Sequence, residues 1–469
     1  LFPYTTLFRS TPVYGIPLGT ISTFETKDSY NVERFCNSRY KWGRSMDLMQ
    51  IVAVVVFVVA MVAIMSEKVH RALVAIVGAM ILLVVHVVTF DQAMSHVDFN
   101  TLGVLLGMML FVAVVKLSGI FEYLAIKCAR LAKGNPWLVM VLFVCLTAVL
   151  SALLDNVTTV LLIGPMTVTV CRLLDLDPLP FFLAEIMASN IGGTATLIGD
   201  PPNIMIGSAA GYSFVDFVLY DTPAALLSLA VMLALFYLLF GRKLHVDDAH
   251  KDALAGLDER EQIKNPVLLR QSVVMIALVV VGFMAHGSLG IESCVVALTA
   301  AGVLMLISGE RIEEALAHVE WTTLVFFAGL FIVVGALSEV GVIGMLAQAL
   351  IDVTGGSTFI AMLVLLIASA IISSFLDNIP FVATMIPILL SMEATGMDVA
   401  PLWWAVSLGA CLGGNGTLIG ASANVVMSDI AKKHGTEITF MGFLKYGFPI
   451  MLVTIAVSAV YLVVRFPPM

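Results

Sequence analysis

Charge is what this sequence has least of. Of its 469 residues, 12% are Asp, Glu, Lys or Arg, while 60% are apolar. A soluble domain carries about twice that charge fraction, so an ordinary water-soluble globule is excluded. No basic stretch is dense enough to suggest a nucleic-acid partner. Cys128, Cys145, Cys171, Cys294 and Cys411 are scattered in or beside apolar runs. None forms a C-x-x-C pair, so neither a disulfide framework nor a thiolate metal site is indicated. No G-x-x-x-x-G-K string appears, so nothing points to an ATP-driven pump. The formal net charge of −9 says little about partners, because most charges fall in loops.

What the chain has instead is long apolar runs. They fall at about 50–65, 71–89, 101–117, 136–153, 157–174, 180–210 and 217–240, then at 272–287, 291–308, 321–338, 357–375, 379–395, 401–430 and 443–464. Many reach the roughly 18 residues needed to cross a bilayer, which makes this an all-α polytopic membrane protein. Between the two sets lies the clearly hydrophilic stretch, Gly241 to Arg270, with six basic and six acidic residues. The expected organisation is a first transmembrane repeat over 46–240, a linker over 241–271 and a second repeat over 272–469. Residues 1–45 begin LFPYTTLFRS, which looks like a translated sequencing adapter. They lack the apolar core of a signal peptide. They are expected to be artefact, with a start at Met46 or Met49.

The two sets are copies. His96–Pro165 aligns without a gap to His318–Pro387, with 18 identities in 70 columns. The pairs include Gly107/Gly329, Gly119/Gly341, Asp155/Asp377, Asn156/Asn378 and Pro165/Pro387. One residue drops out and the match resumes, NIGGTATLIGDPPN (190–203) against LGGNGTLIGASAN (412–424). If 136–153 and 157–174 are arms of a re-entrant hairpin turning at Asp155-Asn156, each half crosses five times and the second half is inverted. With the linker cytoplasmic, 17 of the 18 Lys and Arg after Met46 then lie inside, as the positive-inside rule requires. The expected fold is therefore two inverted repeats, each of five crossings, one re-entrant hairpin and one broken helix, in the cytoplasmic membrane.

The polar islands in the copies carry the chemistry. An aspartate in an apolar span is costly and marks a functional site by default. Asp155 and Asp377 cap the arms that follow them, and those helix ends offer free N–H groups to an anion. Thr158 follows on the first arm. In the second island, Gly192, Gly193 and Gly199 with Pro201 and Pro202 break the helix and free carbonyls. Together with Asn190, Thr194, Thr196 and Asn203 these make a hard oxygen-rich site suited to Na⁺. Gly414, Asn415, Thr417, Ser422 and Asn424 repeat the pattern. Candidate Na⁺ ligands are Asn156, Thr196, Asn378 and Thr417. The blander alternatives are a helix cap for the aspartates and close packing for the glycines. Asp200 has no counterpart, since Ala421 takes its place; Asp155, Asp200 and Asp377 are candidate proton carriers. Glu185, one turn before Asn190, is a weaker candidate. His86, His96, His286 and His318 read as structural, the middle and last pairs anchoring turns or interfaces. Phe121–Lys133 reads as an interfacial amphipathic helix.

LLDNVTTVLLIGP with NIGGTATLIGDPPN resembles the P-protein group of the ion transporter superfamily, beside the ArsB-type arsenite permeases, NhaD-type sodium/proton antiporters and citrate and dicarboxylate carriers. The resemblance covers about Met46 onward. It implies a homodimer with a fixed scaffold and a mobile elevator-like part. The dicarboxylate carriers have Ser-Asn-Thr at the tip, where this chain has Asp155-Asn156-Val157 and Asp377-Asn378-Ile379; the added negative charge argues against a dicarboxylate. The expected function is secondary active transport of an inorganic ion or small anion coupled to H⁺ or Na⁺, with no cofactor beyond that coupling ion and with membrane lipid as surroundings. Alternatives are Na⁺/H⁺ antiport, arsenite export, a passive channel and, from another class, an intramembrane aspartyl protease using Asp155 and Asp200.

Overall fold

The computed structural model describes residues 46–66, 68–246, 258–309 and 312–468. The expectation for residues 1–45 and the middle of the charged linker lie outside the described residues. Helix boundaries follow local chemistry. Asp47, Asn135, Ser213, Asn265, Ser357 and Thr439 each cap a helix, accepting hydrogen bonds from first-turn N–H groups. At Asn135-Pro136 and Asn265-Pro266 the cap is followed by a proline at the first helical position, where its missing N–H costs nothing.

The helices of the first half are α1 Leu48–Met65, α2 Arg71–Val84, α3 Phe90–Ser95, α4 Phe99–Lys116, α5 Ile120–Leu131, α6 Pro136–Leu153, α7 Asn156–Leu173, α8 Leu179–Thr194, α9 Pro201–Ala210 and α10 Phe214–Phe236. The second half gives α11 Pro266–Leu289, α12 Ser293–Ser308, α13 Ile312–Leu316, α14 Trp321–Glu339, α15 Val342–Val353, α16 Thr358–Phe375, α17 Asn378–Ala394, α18 Ala400–Gly413, α19 Ser422–Lys433 and α20 Phe440–Arg465. Each helix of the first set has its counterpart ten places on. Both 180–210 and 401–430 are split, as the glycines and prolines there require.

Among the described residues nine helices are long and apolar enough to cross a membrane: α1, α4, α6, α7, α10 with its continuation to Gly241, α11, α14, α16 and α20. The run at 71–89 gives a helix only to Val84. His86 takes φ 58° and Thr89 already caps α3, so the last apolar residues of the run form the turn.

Packing pairs one half with the other. Helix α4 lies on α12 and α2 on α14. Gly107 and Gly329 make these crossings close: a Cβ on Gly107 would sit 2.6 Å from the Ala297 carbonyl carbon, and one on Gly329 2.7 Å from that of Ala75. Without a hydrophobic drive between helices in lipid, such small-residue contacts hold them together. The arms α6 and α16 pack on α8 and α18 of their own halves. The arms α7 and α17 pack crosswise, on α19 and α9. Helix α5 buries Ile120, Phe121, Ala125, Ile126 and Ala129 and exposes Lys127 and Arg130. The end of the linker docks on it through Arg130–Glu259 and through Lys264–Glu122 at 3.1 Å. His286 is structural, with Nε2 3.3 Å from the Phe214 N–H and Nδ1 3.1 Å from the Ile291 carbonyl. His96 meets Glu339 at 3.0 Å.

Candidate transport site

Two tight turns bring the first island together. Leu154 and Asp155 are extended between α6 and α7. The Asp155 carboxylate accepts from the Thr158 N–H at 2.7 Å and the Thr158 hydroxyl at 2.5 Å. Asp377 occupies the same place before α17, accepting from the Ile379 N–H at 3.1 Å. Proline 380 stands where Thr158 does, so Asp377 lacks that hydroxyl. It takes Arg71 Nη1 at 2.9 Å and the Ser422 hydroxyl at 3.0 Å instead.

The breaks are held by their asparagines. Asn203 Nδ2 donates to the carbonyls of Gly193, Thr194 and Thr196 at 3.3, 3.1 and 2.9 Å. Asn424 Nδ2 does the same for Gly414 and Thr417 at 2.7 and 2.9 Å. The freed carbonyls are therefore bound internally, which explains why Asn lies in both islands without requiring an ion. Thr196 donates to the Ala152 carbonyl at 2.5 Å, and Thr417 to that of Ser374. These hydroxyls staple each break to its neighbouring arm. Thr194 donates to the Asn190 carbonyl at 2.7 Å.

Asparagine 190 joins the halves. Its Nδ2 lies 2.9 Å from both Asn415 Oδ1 and Asn424 Oδ1, and its Oδ1 accepts from Asn156 Nδ2 at 3.2 Å. On the other side Asn378 Nδ2 donates to Asp200 Oδ2 at 3.0 Å. Both tip asparagines thus reach into a broken helix, the first within its own half and the second across to the other.

A cavity of about 40 Å³ lies between these groups. Asp155, Asn156 and Asp200 from the first half and Asn378 and Ser422 from the second are on its wall, with Arg71, Glu320 and Thr323. Of the residues singled out in the sequence, these five meet there. Thr158, Asn190, Gly193, Thr194, Thr196, Asn203, Gly414, Asn415, Thr417 and Asn424 are not on the wall. Of the four candidate Na⁺ ligands, Asn156 and Asn378 line the cavity and the two threonines do not. Asp377 does not face Asp155 across it, contrary to the expected arrangement. Its carboxylate turns to Arg71, because that is the nearest cation. Glu185 also lies elsewhere, accepting from the Thr167 hydroxyl at 2.5 Å.

Three functional residues escape the sequence reading. Arg71 reads as an inside-loop cation, yet its guanidinium lies on the cavity wall and 5.2 Å from the Phe326 ring centroid. Glu320 accepts from the Thr323 hydroxyl at 3.1 Å beside it. Asp221 is fully buried inside α10; a lone acid in an otherwise apolar run is the signal that marks it.

A family model described as citrate transporter matches residues 61–409. The chain belongs to the citrate transporter family. This citrate-transporter-family protein is a multi-pass membrane transporter. It is 45% identical over 426 residues to an uncharacterized transporter of Mycobacterium bovis, covering 89% of this chain and 99% of that one. A 46 kDa membrane protein of Mycobacterium leprae is 43% identical over 425 residues, with the same coverage. The resemblance to the P-protein group holds: the P protein of Homo sapiens is 36% identical over 486 residues, 86% of this chain and 58% of that protein. Among solved structures, the YdaH transporter of Alcanivorax borkumensis superposes with a TM-score of 0.60 at 14% identity, over 90% of this chain and 99% of that one. MtrF of Neisseria gonorrhoeae, described with a class of antimetabolite efflux pumps, gives 0.57 at 12%, over 93% and 97%. At such identities the likeness is one of fold.

Proposed function

We propose that this transporter is a secondary active carrier of an inorganic ion or small anion, coupled to H⁺ or Na⁺. One observation carries the reading: tips and broken helices from both halves contribute to a single cavity. Three carboxyl groups line it, Asp155, Asp200 and Glu320, against one guanidinium, Arg71, which is itself paired with Asp377. An excess of carboxylates in a low-dielectric site suits a cation or proton. Carboxylate and amide oxygens from Asp155, Asp200, Asn156 and Asn378 are hard donors of the kind Na⁺ takes. In the elevator reading, α6–α9 and α16–α19 move together as the carrier. Helices α2, α4, α12 and α14 are the frame. The two halves are inverted, the tips re-enter from opposite faces, the linker is cytoplasmic and the protein works as a homodimer in the inner membrane.

Na⁺/H⁺ antiport without another solute is the second reading. Its support is the size of the cavity, which holds water or a bare ion and not a citrate, together with the carboxylate excess.

The test is flux in proteoliposomes under imposed Na⁺ and pH gradients, comparing the protein with Asp155→Asn and Asp377→Asn. Flux that follows either gradient and collapses in both variants supports coupled transport by two tips. Flux indifferent to both gradients would overturn it in favour of a channel. Proteolysis that survives Asp377→Asn would point to an aspartyl protease on Asp155 and Asp200.

A further inference from the structure

Behind the cavity lies a second buried carboxyl. Asp221 sits in the middle of α10, fully buried, and its Oδ1 has no hydrogen-bond partner. Its Oδ2 lies 2.5 Å from the Ser407 hydroxyl on α18. The next residue, Thr222, ties α10 to the first break through the Ala195 carbonyl at 2.6 Å. Asp221 is thus held against both broken helices, but nothing in the cavity touches it directly.

Counting protons along the side chains between Asp221 and Asp200 gives more than proximity. Asn203 Nδ2 faces three carbonyls, so its Oδ1 faces Ser407 and Cys411, where it can only accept. Ser407 has one proton and two acceptors in reach, Asn203 Oδ1 at 2.9 Å and Asp221 Oδ2 at 2.5 Å. Cys411 also has one proton and two acceptors in reach, Asn203 Oδ1 at 3.5 Å and the Asp200 carboxyl. Two arrangements satisfy the string. With a proton on Asp221, its O–H donates to Ser407, Ser407 donates to Asn203, and the Cys411 thiol is left to donate to an ionised Asp200. With Asp221 ionised, Ser407 turns to Asp221 and Cys411 turns to Asn203. Asp200 then loses a donor and is better protonated. Buried networks of this kind polarise as a unit.

We propose that Asp221 is a second proton-binding site, linked to Asp200 through Ser407, Asn203 and Cys411 so that a proton on one disfavours a proton on the other. The duplication supports the pairing. Phe214, Phe217, Tyr220 and Pro223 of α10 match Phe440, Phe443, Tyr446 and Pro449 of α20. In that register Asp221 meets Gly447, where a Cβ would lie 2.6 Å from the Asn415 carbonyl oxygen. Asp200 meets Ala421. Both acids are present in one half and both are missing from the other.

No counter-charge settles Asp221 from outside the string. The titratable groups that face it are Cys411 from α18 and Tyr461 from α20. The Arg465 guanidinium of α20 lies 4.8 Å from the Tyr220 ring centroid. On α8 Glu185 is bound to Thr167, and on α11 His286 is bound at the Phe214 end of α10.

This deepens the coupled-transport reading, and it is tested without transport. Protein in lipid vesicles with no ion gradient is titrated while the infrared carbonyl stretch of protonated carboxyl groups is followed, with Asp200→Asn and Asp221→Asn assigning the two bands. An amide at 221 donates to Ser407 as a protonated carboxyl does. Asp221→Asn should therefore move the Asp200 midpoint to lower pH by about one unit. In a Ser407→Ala background that displacement should vanish. Cys411→Val, which touches neither carboxyl, should move the Asp200 midpoint upward and serves if Asp221→Asn does not fold. An Asp200 midpoint unchanged by both Asp221→Asn and Cys411→Val overturns the proposal, as does a displacement that persists without the Ser407 hydroxyl. Loss of gradient-coupled flux with an intact titration pattern would count against the transport reading alone.

Discussion

Arg71 Nη1 lies 2.9 Å from Asp377 Oδ2, joining the first turn of α2 to the tip of the second hairpin across 306 residues of sequence. Arg71 Nη1 also donates to Ser422 at 2.8 Å, so one guanidinium holds both the tip and the start of α19. The first half has no such clasp. Ser293 stands where Arg71 does in the alignment, and it bonds to Asn100 at 3.2 Å. Asp155 relies on Thr158 instead. The repeats are thus alike in backbone and unlike in charge, and the frame grips only one of the two tips.

Removing half of that clasp should cost more than removing all of it. The side chains of Arg71 and Asp377 are 27% and 15% exposed, so the survivor of a single substitution is left poorly solvated. Arg71→Gln or Asp377→Asn should each lower stability by about 1–3 kcal/mol, less than a fully buried pair would. The double variant should recover part of the loss. Thermal unfolding in detergent, arranged as a double-mutant cycle, gives the coupling directly. Simple additivity would mean the contact carries no net energy.

Asp155→Asn separates capping from function. Asparagine caps a helix about as well as aspartate, so the midpoint of thermal unfolding should scarcely move. Flux driven by an ion gradient should fall by more than about tenfold, the consequence of losing roughly 1.4 kcal/mol from a rate-determining step. A stable variant with full flux would reduce Asp155 to a cap.

The glycines of the frame are a test of packing alone. Gly107→Ala and Gly329→Ala each drive a methyl to within 2.7 Å of the facing backbone, and overpacking of that kind costs about 1–3 kcal/mol. Gly302, whose Cβ would meet nothing within 4 Å, is the control. Equal effects at all three positions would show that the close crossing is not what these glycines serve.

Much of this architecture is legible in the sequence because duplication marks it. The paired Asp-Asn tips, the paired glycines of the breaks and the frame glycines recur in register, and each recurs for a backbone reason. What was illegible depended on distance. Nothing near Arg71 in sequence says that its guanidinium meets Asp377. The role of Asn203 and Asn424 was visible only as polar atoms among freed carbonyls. Whether those atoms bind an ion or each other is decided by side-chain direction, and they bind each other. Asp221 passed as one polar residue in a span; its partners Ser407 and Asn203 come from other helices and give no local pattern.

The two break asparagines should differ in what their loss does. Asn203→Ala leaves three carbonyls without their amide donor and Asn424→Ala leaves two. Each buried acceptor left unpaired costs about 1–3 kcal/mol unless water reaches it. Asn424 also accepts from Asn190, the residue that binds the first tip through Asn156. Its loss therefore frees half of the amide contact between the halves, whereas Asn203→Ala leaves the Asn190 contacts intact. Hydrogen exchange should rise at 193–200 in Asn203→Ala. In Asn424→Ala it should rise both at 414–421 and at the first tip, Leu154 to Thr158. Exchange confined to 414–421 in the second variant would mean that the asparagine chain does not transmit disturbance from one half to the other.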